Sequence, residues 1–294
     1  IAAANSAAAT TAPPTSTLVR SALYVPASNG RAMAAAAALR AVDAVIIDCE
    51  DAVAPSDVAK KAAREAAVAA ISAGAFAGRR TALRINGIGT PHYEADVEAC
   101  AKLLADPVAR AHLHAIVLPK VEAASQIDSL VEALPPEALA VAATPAPPAS
   151  AAAASNAGAA TRALPGVAIW AMIETAKGVL AAAAIAATAL THPSLSVLVA
   201  GTTDLASDLH VPSRGGHTRA ALQPHLAAIV LAARAHGLVV LDGVCLSVPG
   251  KGSSDGGGDD AALTQLVSEC AMGRSMGFDG KTLIHPSHGS VDGL

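Results

Sequence analysis

The 294-residue chain carries 20 Lys and Arg against 24 Asp and Glu, a formal charge of −4, with 53% hydrophobic but only 2% aromatic residues. That balance supplies neither a basic face for phosphates nor stacking rings for single strands, so no nucleic-acid partner is expected. Alanine makes up much of the apolar fraction, and no run of bulky apolar residues is long enough to span a bilayer, so no membrane partner is expected either. Cys49, Cys100, Cys245 and Cys270 lie far apart without a C-x-x-C pair, which predicts neither a zinc site nor a disulfide framework.

Ahead of Asp43 there is no acidic residue, while Ala, Ser and Thr are abundant and Arg20, Arg31 and Arg40 are present. Residues 1–17 therefore read as a disordered leader or the remnant of an organellar transit peptide, and residues 18–294 as a single domain. Mitochondrial localisation is the expectation, with another organelle or the cytoplasm as alternatives. Short runs rich in Val, Ile and Leu then recur at 21–25, 44–48, 81–86, 115–120, 167–173, 196–201, 238–243 and 278–284. Between most of them lie helical stretches, at 31–41, 57–71, 93–104, 177–190, 218–236 and 261–276. Strand then helix, repeated, predicts an α/β fold of the (β/α)8 TIM-barrel type, with an open doubly wound sheet as the alternative. The open sheet's G-x-G-x-x-G first turn is absent. Low-complexity segments at 135–158 and 249–260 are expected to be surface loops.

In a parallel barrel the active site lies at the carboxyl ends of the strands, and acids and bases gather there in this sequence. Asp48, Glu50 and Asp51 follow the second run, and the third carries Arg84 and Asn86. The fourth ends in Pro119-Lys120-Val121-Glu122, the fifth in Glu174, the sixth leads to Asp204, and the seventh ends in Asp242. Neighbouring strands lie about 4.8 Å apart, so Glu174 and Asp204 can reach one hard cation together. Two carboxylates with several open positions suit Mg²⁺, which would polarise a substrate carbonyl. Each acid could instead cap the helix that follows it. Of Asp48, Glu50 and Asp51, one is expected to orient a ligand or reach the metal through water, and another to cap the helix after Pro55. Arg84 sits on an apolar strand and needs an anion, either Glu50 or a substrate carboxylate or enolate oxygen. His285, after the last strand, is placed to face the site, whereas Trp170 is expected to pack.

The residues that carry this pattern are similar to those of the citrate lyase β-subunit-like family, within the HpcH/HpaI aldolase/citrate lyase superfamily. The matching stretches are 20–26, 42–53, 83–86, 117–122, 173–178, 201–208, 236–238 with Asp242, 276–281 and 284–286. Their order covers about residues 18 to 288, and the Asp48-Cys49-Glu50-Asp51 spelling resembles the mitochondrial branch that includes citramalyl-CoA lyases. The resemblance implies a homotrimeric Mg²⁺ barrel acting as a carbon–carbon lyase on an acyl-CoA thioester. Such an enzyme splits citramalyl-CoA or malyl-CoA into acetyl-CoA plus pyruvate or glyoxylate, or runs the reverse. By position it implies Glu174 and Asp204 as metal ligands and Arg84 as the substrate arginine, with Tyr24 and Arg31 near the CoA nucleotide. Asp48, Glu50 and Arg84 form the expected catalytic set, with Asp242 and His285 added to the substrate-binding one.

There are departures. The basic helix of relatives is mostly alanine here, at 32–38, which implies weaker CoA affinity. His210 stands where relatives usually carry Gly. A proton-carrying aspartate in a C-terminal segment that covers a neighbouring subunit's site has no counterpart before Leu294, so that lid is expected to be lacking. Two alternatives follow: a class II aldolase acting on free hydroxy-oxo acids, or a truncated, weakly active member that binds metal and oxo acid.

Overall fold

Eight parallel strands close on themselves in the order β1 to β8 in this computed structural model, which describes residues 19–139, 166–212, 218–248 and 258–290. The first half of the chain runs β1 (Ser21–Pro26), α1 (Gly30–Ala38), β2 (Ala44–Asp48), α2 (Asp57–Ser72), β3 (Arg80–Arg84), α3 (Tyr93–Ala105), α4 (Pro107–Arg110), β4 (Ala115–Leu118) and α5 (Ala124–Glu132). It continues with β5 (Ala168–Ile173), α6 (Ala176–Ala187), β6 (Leu195–Ala200), α7 (Thr202–Asp208), α8 (Thr218–Ala235), β7 (Val239–Asp242), α9 (Gly258–Met276) and β8 (Gly280–Leu283). This is a (β/α)8 barrel. Each predicted strand is present, with ends within about two residues of the expected ones.

Two apolar clusters explain why the strands read as continuous hydrophobic runs. One face of each strand packs outward on the helices, as Leu23, Val45, Leu83, Ile116, Ile169, Leu198, Val240 and Leu283 do. The other face fills the barrel interior with Ala22, Ala44, Ile46, Ala82, Ala115, Val117, Trp170, Met172, Val197, Val199 and Leu241. The small side chains of β1 to β4 leave room for Trp170, whose burial as a packing residue matches expectation.

Local signals set the helix starts. Asn29 accepts from the Ala32 N–H at 3.1 Å, Ser56 from Ala59 at 3.3 Å and Thr175 from Gly178 at 3.0 Å. Ser56, and none of the acids before Pro55, therefore caps α2. The Ala-rich α1 carries no basic residue in its last turn, and Arg79 serves its open carbonyls instead, donating to Ala36, Ala37 and Leu39. His210 adopts a φ of 55°, in the left-handed region, the physical reason a glycine suits that position. Among the described residues no helix is long and apolar enough to cross a membrane.

Some expectations fall on other ground. Residues 1–17, most of the loops at 140–158 and 249–257, and the chain's last residues lie outside the described residues. Where the loop expectations overlap them, 136–138 form a 3-10 turn and α9 begins at Gly258, so 258–260 are helical.

Candidate active site

A cavity of about 400 Å³ opens at the carboxyl end of the barrel, lined among others by Tyr24, Asp48, Asp51, Arg84, Glu174 and Asp204. Strand alternation puts them there. Tyr24, Asp48, Arg84 and Glu174 each lie two residues beyond an interior-packed side chain, namely Ala22, Ile46, Ala82 and Met172.

Asp48 and Arg84 are register partners across β2 and β3. Arg84 Nε donates to Asp48 Oδ1 at 2.8 Å and Nη2 to Oδ2 at 2.5 Å, a two-point clamp that fixes the guanidinium plane. The same carboxylate accepts the Glu50 and Ala52 N–H groups, at 2.8 and 3.2 Å. Asp48 is thus fully committed to orienting Arg84 and its own turn. On the other side the guanidinium stacks over Tyr24, 4.7 Å from the ring centroid. Burial opposes the Arg84 charge, but its neighbours, Asp48 first among them, together outweigh it and hold the proton well above the usual arginine range. Burial pushes the Tyr24 phenol well above its ordinary value, so it stays neutral.

Glu50 is buried, 2.9 Å from Arg84 Nη1 and 2.5 Å from Lys120 Nζ. Its Oε2 is poorly aligned with the guanidinium and is left without a hydrogen-bond donor. Burial raises this carboxyl, against the pull of Arg84. The turn that carries it is held by Lys60, which donates to the Cys49 and Glu50 carbonyls at 3.0 and 2.7 Å, and by Asn86, which donates to the Cys49 carbonyl at 3.1 Å.

Glu174 is almost wholly buried and its Oε1 accepts the Lys120 N–H at 2.8 Å. Its carboxyl is pushed up to about 8, first by burial and then by the charge of Glu50, with Asp204 adding to it. Gly201 makes the close approach of β6 possible, since a Cβ there would sit 2.3 Å from Glu174 Cβ and Oε2. Asp204, in the first turn of α7, is 37% exposed and faces the same cavity.

These residues fit a divalent cation. Among the described residues, Asp48, Glu50, Asp51, Glu174 and Asp204 face two bases, Arg84 and Lys120, so acids outnumber bases in the cluster, and Glu50 Oε2 lacks a donor that a hydrated ion's water would provide. Among the described residues no set of three or more His, Cys, Asp or Glu forms a complete ion cage. The protein would then supply two carboxylates, Glu174 and Asp204, leaving the other positions to water and substrate, which is the habit of Mg²⁺.

Other expected site residues lie elsewhere. Asp242 shares its strand face with Val240 and points outward, where it accepts from Arg219 Nη2 at 2.5 Å and Lys281 Nζ at 3.0 Å. It is a structural ion-pair residue, away from the cavity lining. Arg31 is exposed on α1 and is not in the cavity lining. His285 bonds Ser287 Oγ through Nδ1 at 2.7 Å and packs edge-on against His288, also away from the lining. Asp51, which lines the cavity, and Lys120 are missing from the expected set, and each had only its place after a strand as a sequence signal. Lys120 and Glu50 lie outside the lining and join the site through their contacts to Arg84, Asp51, Glu174 and Asp204. Thr202, Thr203, Val244, Leu246 and Ile284 complete much of the wall.

A profile of the family described as HpcH/HpaI aldolase/citrate lyase matches residues 20–286. The chain belongs to this family. It is 39% identical over 268 residues, 91% of this chain and 73% of the relative, to a (3S)-malyl-CoA thioesterase of Cereibacter sphaeroides. Among solved structures it is similar to the citrate lyase β subunit of Mycobacterium tuberculosis, at 29% identity and a TM-score of 0.61, covering 92% of this chain and 93% of that one. The CitE protein of the same organism in complex with magnesium and acetate aligns at 28% identity and a TM-score of 0.62, covering 92% and 87%.

Proposed function

We propose that the protein is a Mg²⁺-dependent carbon–carbon lyase acting on a 3-hydroxyacyl-CoA thioester. Its reaction is cleavage of citramalyl-CoA or malyl-CoA to acetyl-CoA plus pyruvate or glyoxylate, or the reverse condensation. The observation that carries this reading is the convergence of Glu174, Asp204 and the clamped Arg84 on one cavity. A Mg²⁺ ion held by Glu174 and Asp204 would supply Lewis-acid polarisation of the oxo-acid oxygen. Arg84, fixed by Asp48 and Tyr24, presents a permanent positive charge where negative charge develops on the thioester oxygen as the C–C bond breaks. The Asp48 clamp occupies Nε and Nη2, which leaves Nη1, with its long contact to Met172 Sδ and the poorly aligned approach of Glu50, as the donor to meet substrate. Met172, Val244, Leu246 and Ile284 give the cavity hydrocarbon walls beside these charges.

The names of the curated relatives favour a second reading, hydrolysis of malyl-CoA to malate and free CoA. Product analysis with malyl-CoA and citramalyl-CoA, in Mg²⁺ or EDTA, separates the two. Acetyl-CoA with an oxo acid and no free thiol is the expected result. Release of free thiol without oxo acid establishes the hydrolase, and cleavage of free 4-hydroxy-2-oxo acids with no action on either thioester establishes a CoA-independent aldolase. Turnover undiminished in EDTA overturns the metal-dependent mechanism.

A further inference from the structure

Lys120 touches four carboxylates of the site at once. It follows β4 with a φ of 51°, in the left-handed region that non-glycine residues rarely occupy. That backbone turn aims its N–H at Glu174 Oε1, 2.8 Å away. Its ammonium meanwhile lies 2.5 Å from Glu50 Oε1, 3.5 Å from both Asp51 oxygens and 3.8 Å from Asp204 Oδ2. The contacts are graded. The shortest is to Glu50, buried at 7% side-chain exposure, and the longest is to Asp204, at 37%. The lysine side chain itself is 41% exposed, with room to move.

We propose that Lys120 is the resident counter-cation of this acid cluster, holding Glu50, Asp51 and Asp204 together before metal arrives and yielding Asp204 to a divalent cation while keeping Glu50. The inference rests on the metal reading given above. An ammonium within 4 Å of Asp204 competes with an incoming cation for that carboxylate and repels it once bound. Without the ammonium, the acids repel one another in the metal-free protein. Lys120 therefore weakens metal binding while preassembling the site. A lysine that merely scaffolds the rim acts with the opposite sign, because its loss would loosen the acids and weaken metal binding.

The test is calorimetric titration of Mg²⁺ into the metal-free wild type and into K120M, K120G, K120R and the surface control K102M, with thermal melts alongside. Glycine suits the left-handed backbone, so K120G supplies a folded variant lacking the ammonium even where K120M folds poorly. Loss of the ammonium should tighten Mg²⁺ binding about three- to ten-fold. It should also lower the metal-free melting temperature and enlarge the rise on adding Mg²⁺. K120R should stay near wild type, and K102M should match it. Unchanged or weaker Mg²⁺ affinity in K120M and K120G, with the wild type still binding, overturns this inference and leaves the metal reading standing. A wild type that binds no Mg²⁺ overturns both.

Discussion

Two ionic clusters, each anchored on a buried pair, lie on opposite faces of the barrel sheet. Each is built on a register pair across adjacent strands, Asp48 with Arg84 on β2 and β3, and Asp242 with Lys281 on β7 and β8. The outer cluster adds Arg219 from α8 and Glu269 from α9, 3.1 Å from Lys281, so two acids meet two bases under a cover of helices. The inner cluster gathers five acids around two bases and opens into a cavity. A balanced, sealed network is finished as it stands. An acidic, open one is completed by a cation or a substrate. Asp48 and Asp242 are each the last residue of their strand, and the face of the strand that each takes decides which cluster it joins.

The sharpest way to break that contrast is to remove one acid from the inner set. Glu174→Gln should cut turnover at least 10³-fold, about 4 kcal/mol of barrier, by deleting one of the two proposed metal ligands. It should also change stability in a direction no ordinary core mutation would. The Glu174 carboxyl is raised from 4.5 to about 8, mainly by burial and then by Glu50, so its favourable protonated state is present below pH 4.5 and is lost as pH rises through about 8. Melting temperature of the metal-free wild type should fall across that window, while E174Q stays flatter and Mg²⁺ restores the wild type at the alkaline end. Parallel melting curves for the two proteins would remove the charge-crowding account of this site.

An equivalent change in the outer set should act on folding. Asp242→Asn leaves Lys281 and Arg219 sharing only Glu269 in a buried setting, which costs about 3–5 kcal/mol. Turnover per folded molecule should fall far less than in E174Q. Denaturant unfolding paired with active-site titration checks both halves. An Asp242→Asn protein of native stability but without activity would return Asp242 to the functional site.

The barrel was legible because eight Val/Ile/Leu runs alternate with Ala-rich helical stretches, and both signals are local. Glu174, Asp204, Arg84 and Asp48 were legible as strand-end polar residues, since few chemistries place so many acids there. Asp242 was misread for a physical reason. In a strand covered on both sides, the apolar run carries no alternation, so nothing in Val239-Val240-Leu241-Asp242 says which face the acid takes. Lys120 was invisible in its contacts because its reach depends on a left-handed backbone that Pro119-Lys120-Val121 does not announce. The support from Lys60 and Asn86 to the Glu50 turn likewise comes from elements far apart in the chain.

The gentlest probe uses two glycines, each packed against the acid of one cluster. At Gly201 an added Cβ would meet Glu174 Cβ and Oε2 at 2.3 Å, too close for either strand to absorb. Gly201→Ala should therefore cost about 1–3 kcal/mol and push the Glu174 carboxylate off its position, weakening Mg²⁺ binding. At Gly273, inside α9, the Cβ would meet Asp242 Oδ2 at 2.9 Å, an oxygen at the far end of a side chain. Alanine also gains about 0.5–1 kcal/mol over glycine in a helix interior, which offsets the small shift that Asp242 must make within its clamp. Gly273→Ala should be close to neutral in both unfolding midpoint and Mg²⁺ calorimetry. If G201A keeps its metal affinity, Glu174 can shift without leaving the site, and if G273A loses stability as G201A does, Asp242 has no room to move within its clamp; either result removes the packing contrast between the two clusters.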